Sequence, residues 1–176
     1  MRFVETALAG AFVVEIEPIE DERGSFARTF SRDEFEAHGL STDIAQCSIS
    51  FNKKRGTLRG MHFQGEPYGE SKLVRCIRGS IFDVIVDLRP ESATYRRWFG
   101  IDLTPANGRM LYIPMGLAHG FQTLEDTTEV AYQISAPYRP THADGVRFDD
   151  PAFGIEWPLE VTVVSARDRE YPDVDS

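Results

Sequence analysis

The sequence is poor in the features that mark secreted, membrane and nucleic-acid-binding proteins. Two cysteines among 176 residues are too few for a disulfide framework, and no apolar run is long enough to span a bilayer. The first residues lack the apolar segment of a signal peptide. A formal net charge of -9 repels nucleic acid and anionic lipid. We therefore expect a cytoplasmic protein with no nucleic-acid or membrane partner, in which Cys47 and Cys76 are buried, reduced fillers.

The chain length and the regular spacing of turn-forming residues favour one β-rich domain over residues 1–176. A chain of this length can bury a core without disulfide or metal staples. Short β-branched and aromatic segments, bounded by Gly, Pro, Asn or Asp, are typical of strands. The ten strands predicted in this way cover residues 12–16, 25–30, 44–51, 57–63, 73–77, 80–88, 98–103, 109–113, 120–124 and 128–135.

Helical patterns are confined to two short segments. Ser31 followed by Glu34 forms a capping box, which predicts a helix over residues 31–38. One more helical turn is expected over residues 165–170. Many strands without alternating helices favour a sandwich or barrel over an α/β fold.

The clearest predicted strand carries two carboxylates. Between residues 81 and 88 the even positions are all apolar, whereas the odd positions combine isoleucine with Asp83 and Asp87. Because side chains alternate along a strand, one face belongs to the core and the other presents both carboxylates among aliphatic side chains.

Two stretches share a glycine-histidine spacing that resembles the two cupin motifs. In the first, Gly56 precedes His62 by six positions, and Lys72 precedes Gly79 by seven. In the second, Gly108 is followed by a Pro-x-Gly-x-x-His pattern at Pro114, Gly116 and His119. The resemblance implies a cupin-type double-stranded β-helix, or jelly roll, with one or two short helices.

The first motif departs from the metal-binding cupins, which usually supply two histidines and one glutamate there. Gln64 stands where the second histidine would be, and Lys72 stands at the acidic position. An ammonium group opposes a divalent cation, and His62 and His119 alone make a poor metal site. We expect neither a metal nor any other cofactor.

His62 and Lys72 together favour acid–base chemistry. Taken alone, His62 and His119 fit buried core histidines, but a lysine directed into a barrel is costly unless it is paired or used. An imidazole base and an ammonium in one pocket supply what proton abstraction beside a carbonyl requires. Strand alternation predicts two faces for this region, with Leu58, Gly60, His62 and Gln64 on one and Arg59, Met61 and Phe63 on the other.

Over nearly its whole length the sequence resembles the dTDP-4-dehydrorhamnose 3,5-epimerase family. None of the shared blocks is specific alone, but their joint presence in this order is highly specific. They are DERG (21–24), Gln46, LRGMHFQ (58–64), KLVRC (72–76), FDVIVDLR (82–89), AHGF (118–121), GIEWP (154–158) and SARD (165–168).

The resemblance implies a homodimeric, cofactor-independent enzyme that acts on a nucleotide-diphospho-sugar. His62 matches the catalytic base, Asp168 the acid that orients it, Tyr132 the general acid on the opposite sugar face, and Lys72 the cation near the keto oxygen. The implied substrate-binding residues are Arg59 and His119 beside the sugar and diphosphate, Arg23 on the diphosphate and often across the dimer, and Gln46, Tyr138 and Arg167 on the nucleotide side.

Departures from the family pattern fall on the nucleotide side. Ala27 and Arg28 stand where an aromatic and an acid are usual, and Cys47 follows Gln46 in place of an Asp or Asn. Pro137, followed by Tyr138, stands where a base-stacking tyrosine is common. The catalytic set is intact, so the family chemistry is expected to hold while the identity of the base stays open.

The resulting hypothesis is an epimerase that inverts C3, C5 or both in a nucleotide-linked 4-keto-6-deoxyhexose, in the biosynthesis of deoxysugars for cell-surface polysaccharides. One alternative is a keto-isomerase, which needs a histidine base but no acid on the opposite face. Another is a non-catalytic sugar-nucleotide-binding cupin, in which Tyr132 is a core tyrosine, Asp168 an ion-pair partner and Arg23 a turn residue.

Overall fold

The computed structural model describes residues 1–174, which form strands joined by short connections and two short helices. The strands are β1 (Arg2–Glu5), β2 (Phe12–Glu15), β3 (Ile19–Asp21), β4 (Gly24–Phe26), β5 (Gln46–Asn52), β6 (Leu58–Gln64), β7 (Lys72–Arg78), β8 (Ile81–Asp87), β9 (Trp98–Leu103), β10 (Arg109–Ile113), β11 (Leu117–Thr123), β12 (Thr128–Ile134) and β13 (Ala143–Gly145). The helices are α1 (Arg32–Ala37) and α2 (Ala166–Glu170).

Eleven of these strands form two antiparallel sheets that pack face to face. The six-stranded sheet has the order β1-β2-β10-β7-β12-β5, and the five-stranded sheet has the order β13-β6-β11-β8-β9. The remaining pair, β3 and β4, forms a separate hairpin. The predicted all-β jelly roll with two short helices is confirmed.

The main core lies between the two sheets. Val74, Leu111 and Val130 contribute to it from the six-stranded sheet, and Ile85 and Phe121 contribute from the five-stranded sheet. All five are at most 1% exposed. Burying a large aliphatic or aromatic side chain contributes about 1.5–3 kcal/mol, so this layer is the main source of stability.

Each sheet is also partly covered on its outer face. Phe35 of α1 packs with Leu73 and Met110 against the six-stranded sheet. Phe153, from the segment that follows β13, packs with Val86 against the five-stranded sheet. Because both faces of β8 are covered, all of its residues except Asp83 and Asp87 are apolar.

Several sequence predictions need correction. The Ser31 side chain makes no capping hydrogen bond, although its carbonyl accepts from the Phe35 N–H at 3.0 Å. Cys47 is exposed, whereas Cys76 is buried as expected. The core of β8 is not limited to one face, because the face that carries Asp83 and Asp87 is buried as well, with both carboxylates 0% exposed.

The alternation predicted for β6 also fails in its middle. His62 pairs with His119 and Arg59 pairs with Phe121, with a register shift between the two pairs. Gly60, at φ 128°, lies where an added Cβ would sit 2.5 Å from the Gly120 Cα. An irregularity of this kind redirects side chains, and it brings Arg59 and His62 to the same cavity.

No helix within residues 1–174 is both long enough and apolar enough to cross a membrane.

Candidate active site

A cavity of about 440 Å³ opens between the two sheets at one end of the sandwich. The five-stranded sheet presents ionisable side chains to it from β6 and β11, and the six-stranded sheet does so from β7 and β12. Its lining residues are Gln46, Ser48, Ser50, Arg59, His62, Glu70, Lys72, His119, Phe121, Tyr132, Ile134 and Tyr138. The cavity therefore collects most of the residues that the sequence predicted for a site.

His62 is held by Asp168 of α2. The His62 Nε2 lies 2.8 Å from the Asp168 Oδ1, and the other carboxylate oxygen accepts from the Gly60 N–H at 3.1 Å. The Asp168 side chain is 5% exposed, whereas that of His62 is 41% exposed. The imidazole can therefore face the cavity while its partner stays buried.

The ionisation of Asp168 fixes the histidine tautomer. Burial raises the pKa of this carboxyl, but hydrogen bonds from His62 and the Gly60 N–H outweigh it and leave the pKa lowered. Because an ionised carboxylate only accepts, Nε2 of the neutral imidazole carries the proton. Nδ1 is then the basic nitrogen, which is the arrangement a general base needs.

A second histidine–aspartate pair lies deeper in the cavity. The His119 Nε2 is 2.7 Å from the Asp83 Oδ1, and the two side chains are 5% and 0% exposed. Among the described residues, the Asp83 Oδ2 has no hydrogen-bond partner. The rings of His119 and Tyr132 meet edge to face, with centroids 6.0 Å apart.

Tyr132 enters the cavity from β12, on the wall opposite β6. Burial raises the pKa of its phenol, and Asp83 adds to the effect while Arg59 opposes it. The hydroxyl is therefore protonated at neutral pH and can donate a proton to a group in the cavity.

Lys72, the first residue of β7, spans the gap between the sheets. Its Nζ forms an ion pair with the Glu70 Oε1 at 3.0 Å and donates to the His62 carbonyl oxygen at 3.4 Å. The side chains of Lys72 and Glu70 are only 10% and 12% exposed. The cation is thus tied directly to the strand that carries His62.

Among the residues expected to hold the nucleotide and diphosphate, Gln46, Arg59 and Tyr138 line this cavity. Arg167 lines a neighbouring cavity that shares Arg59 and His62 with it. The Gln46 Oε1 accepts from the Tyr138 N–H at 2.5 Å, and the Arg59 Nε donates to the Asn52 Oδ1 at 2.7 Å. Arg167 donates to the Ala143 carbonyl oxygen at 3.0 Å, and its interaction with Tyr138 raises the pKa of the guanidinium.

Arg23 lies outside both of the cavities that the other predicted site residues line. It sits in the β3–β4 hairpin, where its guanidinium pairs with Asp21 at 2.5 Å and its side chain is 85% exposed. The side chain is therefore exposed to solvent and paired within its own hairpin.

Within residues 1–174, no group of three or more His, Cys, Asp or Glu side chains is arranged to hold a metal ion. At the motif positions, Gln64 instead donates to the Tyr68 carbonyl oxygen and accepts from the Arg139 N–H, while Lys72 pairs with Glu70.

Three residues near the site were not predicted for it. Asp83 could have been found, since a carboxylate on an aliphatic strand face needs a buried partner. Glu70 carries a weaker signal, because it lies two positions before Lys72 and so shares its side of an extended chain. Nothing in the sequence indicates Tyr171, whose ring meets that of His62 at 6.3 Å.

Comparisons with known proteins extend the resemblance seen in the sequence. The family model for dTDP-4-dehydrorhamnose 3,5-epimerase matches residues 5–176. The chain belongs to the dTDP-4-dehydrorhamnose 3,5-epimerase family. The dTDP-4-dehydrorhamnose 3,5-epimerase of Methanothermobacter thermautotrophicus is 46% identical over 174 residues, which cover 97% of this chain and 92% of that protein.

Two further members of the family are similar to this chain over nearly its whole length. A dTDP-4-dehydrorhamnose 3,5-epimerase structure from Bacillus anthracis, with TDP and PPi bound, has a TM-score of 0.93 and 36% identity, covering 97% of this chain and 98% of that one. A dTDP-4-dehydrorhamnose 3-epimerase from Streptomyces niveus is 37% identical, covering 97% of this chain and 82% of that protein. The predicted isomerase class and cupin-type fold of the epimerase family are confirmed.

Proposed function

We propose that this chain inverts C3, C5 or both in a dTDP-linked 4-keto-6-deoxyhexose. The observation that carries the proposal is the placing of His62 and Tyr132 on opposite walls of one cavity, with Lys72 beside His62. Epimerisation needs a proton removed from one face of a carbon and returned to the other, so acid–base groups on both sides are its physical requirement.

In this mechanism the Nδ1 of His62 removes the proton α to the keto group. Asp168 keeps the opposite nitrogen protonated and stabilises the imidazolium that forms. The electrons move onto the keto oxygen, and the Lys72 ammonium stabilises the resulting enolate. Each of these steps uses groups of this chain and no cofactor.

Tyr132 completes the inversion by protonating the enolate carbon from the six-stranded sheet. Its raised pKa ensures that the hydroxyl still carries its proton at neutral pH when the enolate forms. A keto-isomerase working on one face would leave Tyr132 without this function.

The nucleotide part of the substrate is proposed to lie at the rim. Arg59, Arg167, Gln46 and Tyr138 supply two guanidinium groups, an amide and an exposed ring there. Guanidinium groups suit a diphosphate because they bind its oxygens through paired N–H groups. A dTDP-linked sugar is favoured as the substrate because the related proteins include a dTDP-4-dehydrorhamnose 3,5-epimerase and a dTDP-4-dehydrorhamnose 3-epimerase.

The functional form is proposed to be a cytoplasmic homodimer with one epimerase domain per chain. Ile49 and Phe51 are 66% and 48% exposed on the outer face of the edge strand β5, and Ile19 and Phe26 are each 73% exposed on the β3–β4 hairpin. Burying both patches against a second copy would also bring Arg23 toward that copy's cavity.

The proposal is tested by incubating the protein in D₂O with a panel of 4-keto-6-deoxyhexoses linked to dTDP, UDP, GDP or CDP. NMR locates the deuterium and reads the stereochemistry at C3 and C5. We expect exchange with inversion, fastest for the dTDP sugar. Exchange into none of these sugars, or labelling that never accompanies inversion, would contradict the proposed reaction.

A further inference from the structure

The segment between β6 and β7 places a second buried carboxylate in the cavity. Glu70 lies two residues before Lys72, so both side chains leave the extended backbone on the same side. Its Oε1 is 3.0 Å from the Lys72 Nζ, and the carboxylate is 12% exposed on the cavity wall. The mechanism described above gives this group no role.

We propose that Glu70 is a positioning residue that aims the Lys72 ammonium at the keto oxygen of the substrate. An ammonium group has three N–H donors in a tetrahedral array. Within the described part of the chain, one is directed at Glu70 and one at the His62 carbonyl oxygen. The third N–H is left for the cavity, and its direction is set by the other two. The inference rests on the proposed function, because it assigns the third N–H to the enolate oxygen.

The backbone on either side of this contact is fixed. The Ser71 N–H donates to the Ser135 Oγ at 2.8 Å, and the Ser135 N–H donates back to the Ser71 carbonyl oxygen at 3.0 Å. Earlier in the segment, the Gln64 amide holds the Tyr68 carbonyl oxygen at 2.5 Å. Glu70 is therefore presented by an ordered segment, as a group that positions a neighbour has to be.

The negative charge of Glu70 allows two possible roles, charge compensation and positioning of Lys72, to be distinguished. A buried ammonium with no counter-charge is costly, so Glu70 also compensates the charge of Lys72 before substrate binds. If compensation were its whole role, removing the carboxylate would make the cavity more cationic and would favour the enolate and the anionic substrate. If Glu70 positions Lys72, removing it lets the ammonium leave the line to the keto oxygen, and the chemical step slows.

The test compares Glu70→Ala and Glu70→Gln with Glu66→Ala, an exposed control on the same segment with the same loss of charge. We expect Glu70→Ala to lower kcat for epimerisation by about 10- to 100-fold, as for loss of one hydrogen bond to a charged group. KM should change by less than about threefold. Glu70→Gln should recover most of kcat, because its amide oxygen still accepts from the ammonium, and Glu66→Ala should match the parent.

A double variant identifies the route of the effect. In a Lys72→Met background, Glu70→Ala should cause no further loss, because the group that it positions is gone. An additional loss there, a parental or higher kcat for Glu70→Ala alone, or a rise in KM alone would each overturn the proposal.

The experiment includes one replacement variant and one parallel measurement on the parent protein. Should Glu70→Ala fail to fold, Glu70→Asp replaces it, since this variant keeps the charge but withdraws the carboxylate by one methylene group. A parental kcat for Glu70→Asp would then overturn the proposal. Deuterium exchange by the parent protein is measured in parallel, because its absence would refute the proposed function rather than the role of Glu70.

Discussion

Among single residues, Asp168 is expected to have a large effect on catalysis, because it holds His62 and carries the charge that stabilises the imidazolium. Replacing Asp168 by Asn keeps an oxygen that can accept from the His62 Nε2–H but removes the charge that stabilises the imidazolium. A hydrogen bond to a charged group exceeds a neutral one by about 1 to 2 kcal/mol. Steady-state kinetics should therefore show a roughly tenfold lower kcat for Asp168→Asn, against about 10²- to 10⁴-fold for His62→Ala.

A matched control for Asp168→Asn is Glu170→Gln, because Glu170 is exposed on the same short helix. It removes one negative charge and should leave kcat unchanged. Equal losses for Asp168→Asn and Glu170→Gln would mean that the effect arises from helix or surface charge rather than from the contact with His62.

The sequence predicted which residues line the site, but it did not predict which of them contact one another. His62, Lys72, His119 and Tyr132 all face one cavity, but their roles stay predictions until variants are measured. The ion pair between Lys72 and Glu70 could not be predicted, because strand alternation says which side a group takes and not what it touches.

At the element scale, the connection between β8 and β9 depends on one buried carboxylate. Asp87, at 0% exposure, accepts from the Arg89 Nη2 at 2.7 Å, the Ser92 Oγ at 2.6 Å and the Thr94 Oγ1 at 2.7 Å. Burial raises the pKa of Asp87, but these hydrogen bonds outweigh it and leave the pKa well below its ordinary value.

The lowered pKa gives a pH dependence with a definite sign. A carboxyl with a depressed folded-state pKa contributes stability above its unfolded value, about 3.9, and the contribution is lost as pH falls toward the folded value. Asp87→Asn should lower the free energy of unfolding at pH 7 by about 1.5–3 kcal/mol. Urea denaturation should show the gap from the parent narrowing below about pH 4.

Asp102→Asn serves as the control for this prediction, since Asp102 is exposed on the adjoining strand β9. Asp102→Asn should leave the free energy of unfolding unchanged both at pH 7 and below about pH 4. A constant gap between the parent and Asp87→Asn across the acidic range would show that Asp87 acts through packing and not through its charge.

Strand prediction found the long strands of both sheets but missed the short strands β1, β3 and β13, and it extended β4 beyond its end at Phe26. The predicted strand at 120–124 begins at Leu117 in the structure, so His119 lies inside β11. β13 was missed because Ala143–Gly145 has little β propensity and becomes a strand only by pairing with β6. The irregularity at Gly60, which brings Arg59 and His62 together, depends on contact with Gly120 and leaves no periodic trace.

For the molecule as a whole, the proposed dimer depends on the exposed outer face of β5. The outer face of β5 borders a groove of about 520 Å³ lined in part by Cys47, Ile49 and Arg75. Sheet faces and edges with exposed apolar side chains favour association unless they are covered. Light scattering at micromolar concentration should give about twice the chain mass of 19.9 kDa.

Three variants separate assembly from function in the proposed dimer. Ile49→Lys should yield monomers, whereas Tyr95→Lys, at a residue 38% exposed on the β8–β9 connection, should not. Arg23→Ala should stay dimeric and raise KM for the nucleotide sugar by about tenfold, as for a lost charge-assisted contact. A fully active monomer, or a parental KM for Arg23→Ala, would contradict the shared site.

The fold class and the family could be predicted from the sequence because they depend on patterns spread over the whole chain. The irregularity that groups the site residues depends on a few close contacts, and the proposed dimer would depend on a second molecule, so neither is encoded in a local pattern.

His62 and Tyr132 are proposed to act on opposite faces of one carbon, and the D₂O assay applied to one variant of each residue examines this arrangement. His62→Asn should incorporate no deuterium at C3 or C5, since no enolate forms. Tyr132→Phe should incorporate deuterium into recovered substrate of unchanged configuration, with inversion slowed about 10²- to 10⁴-fold. Near-parental exchange by His62→Asn, or inversion at the parental rate by Tyr132→Phe, would contradict the account.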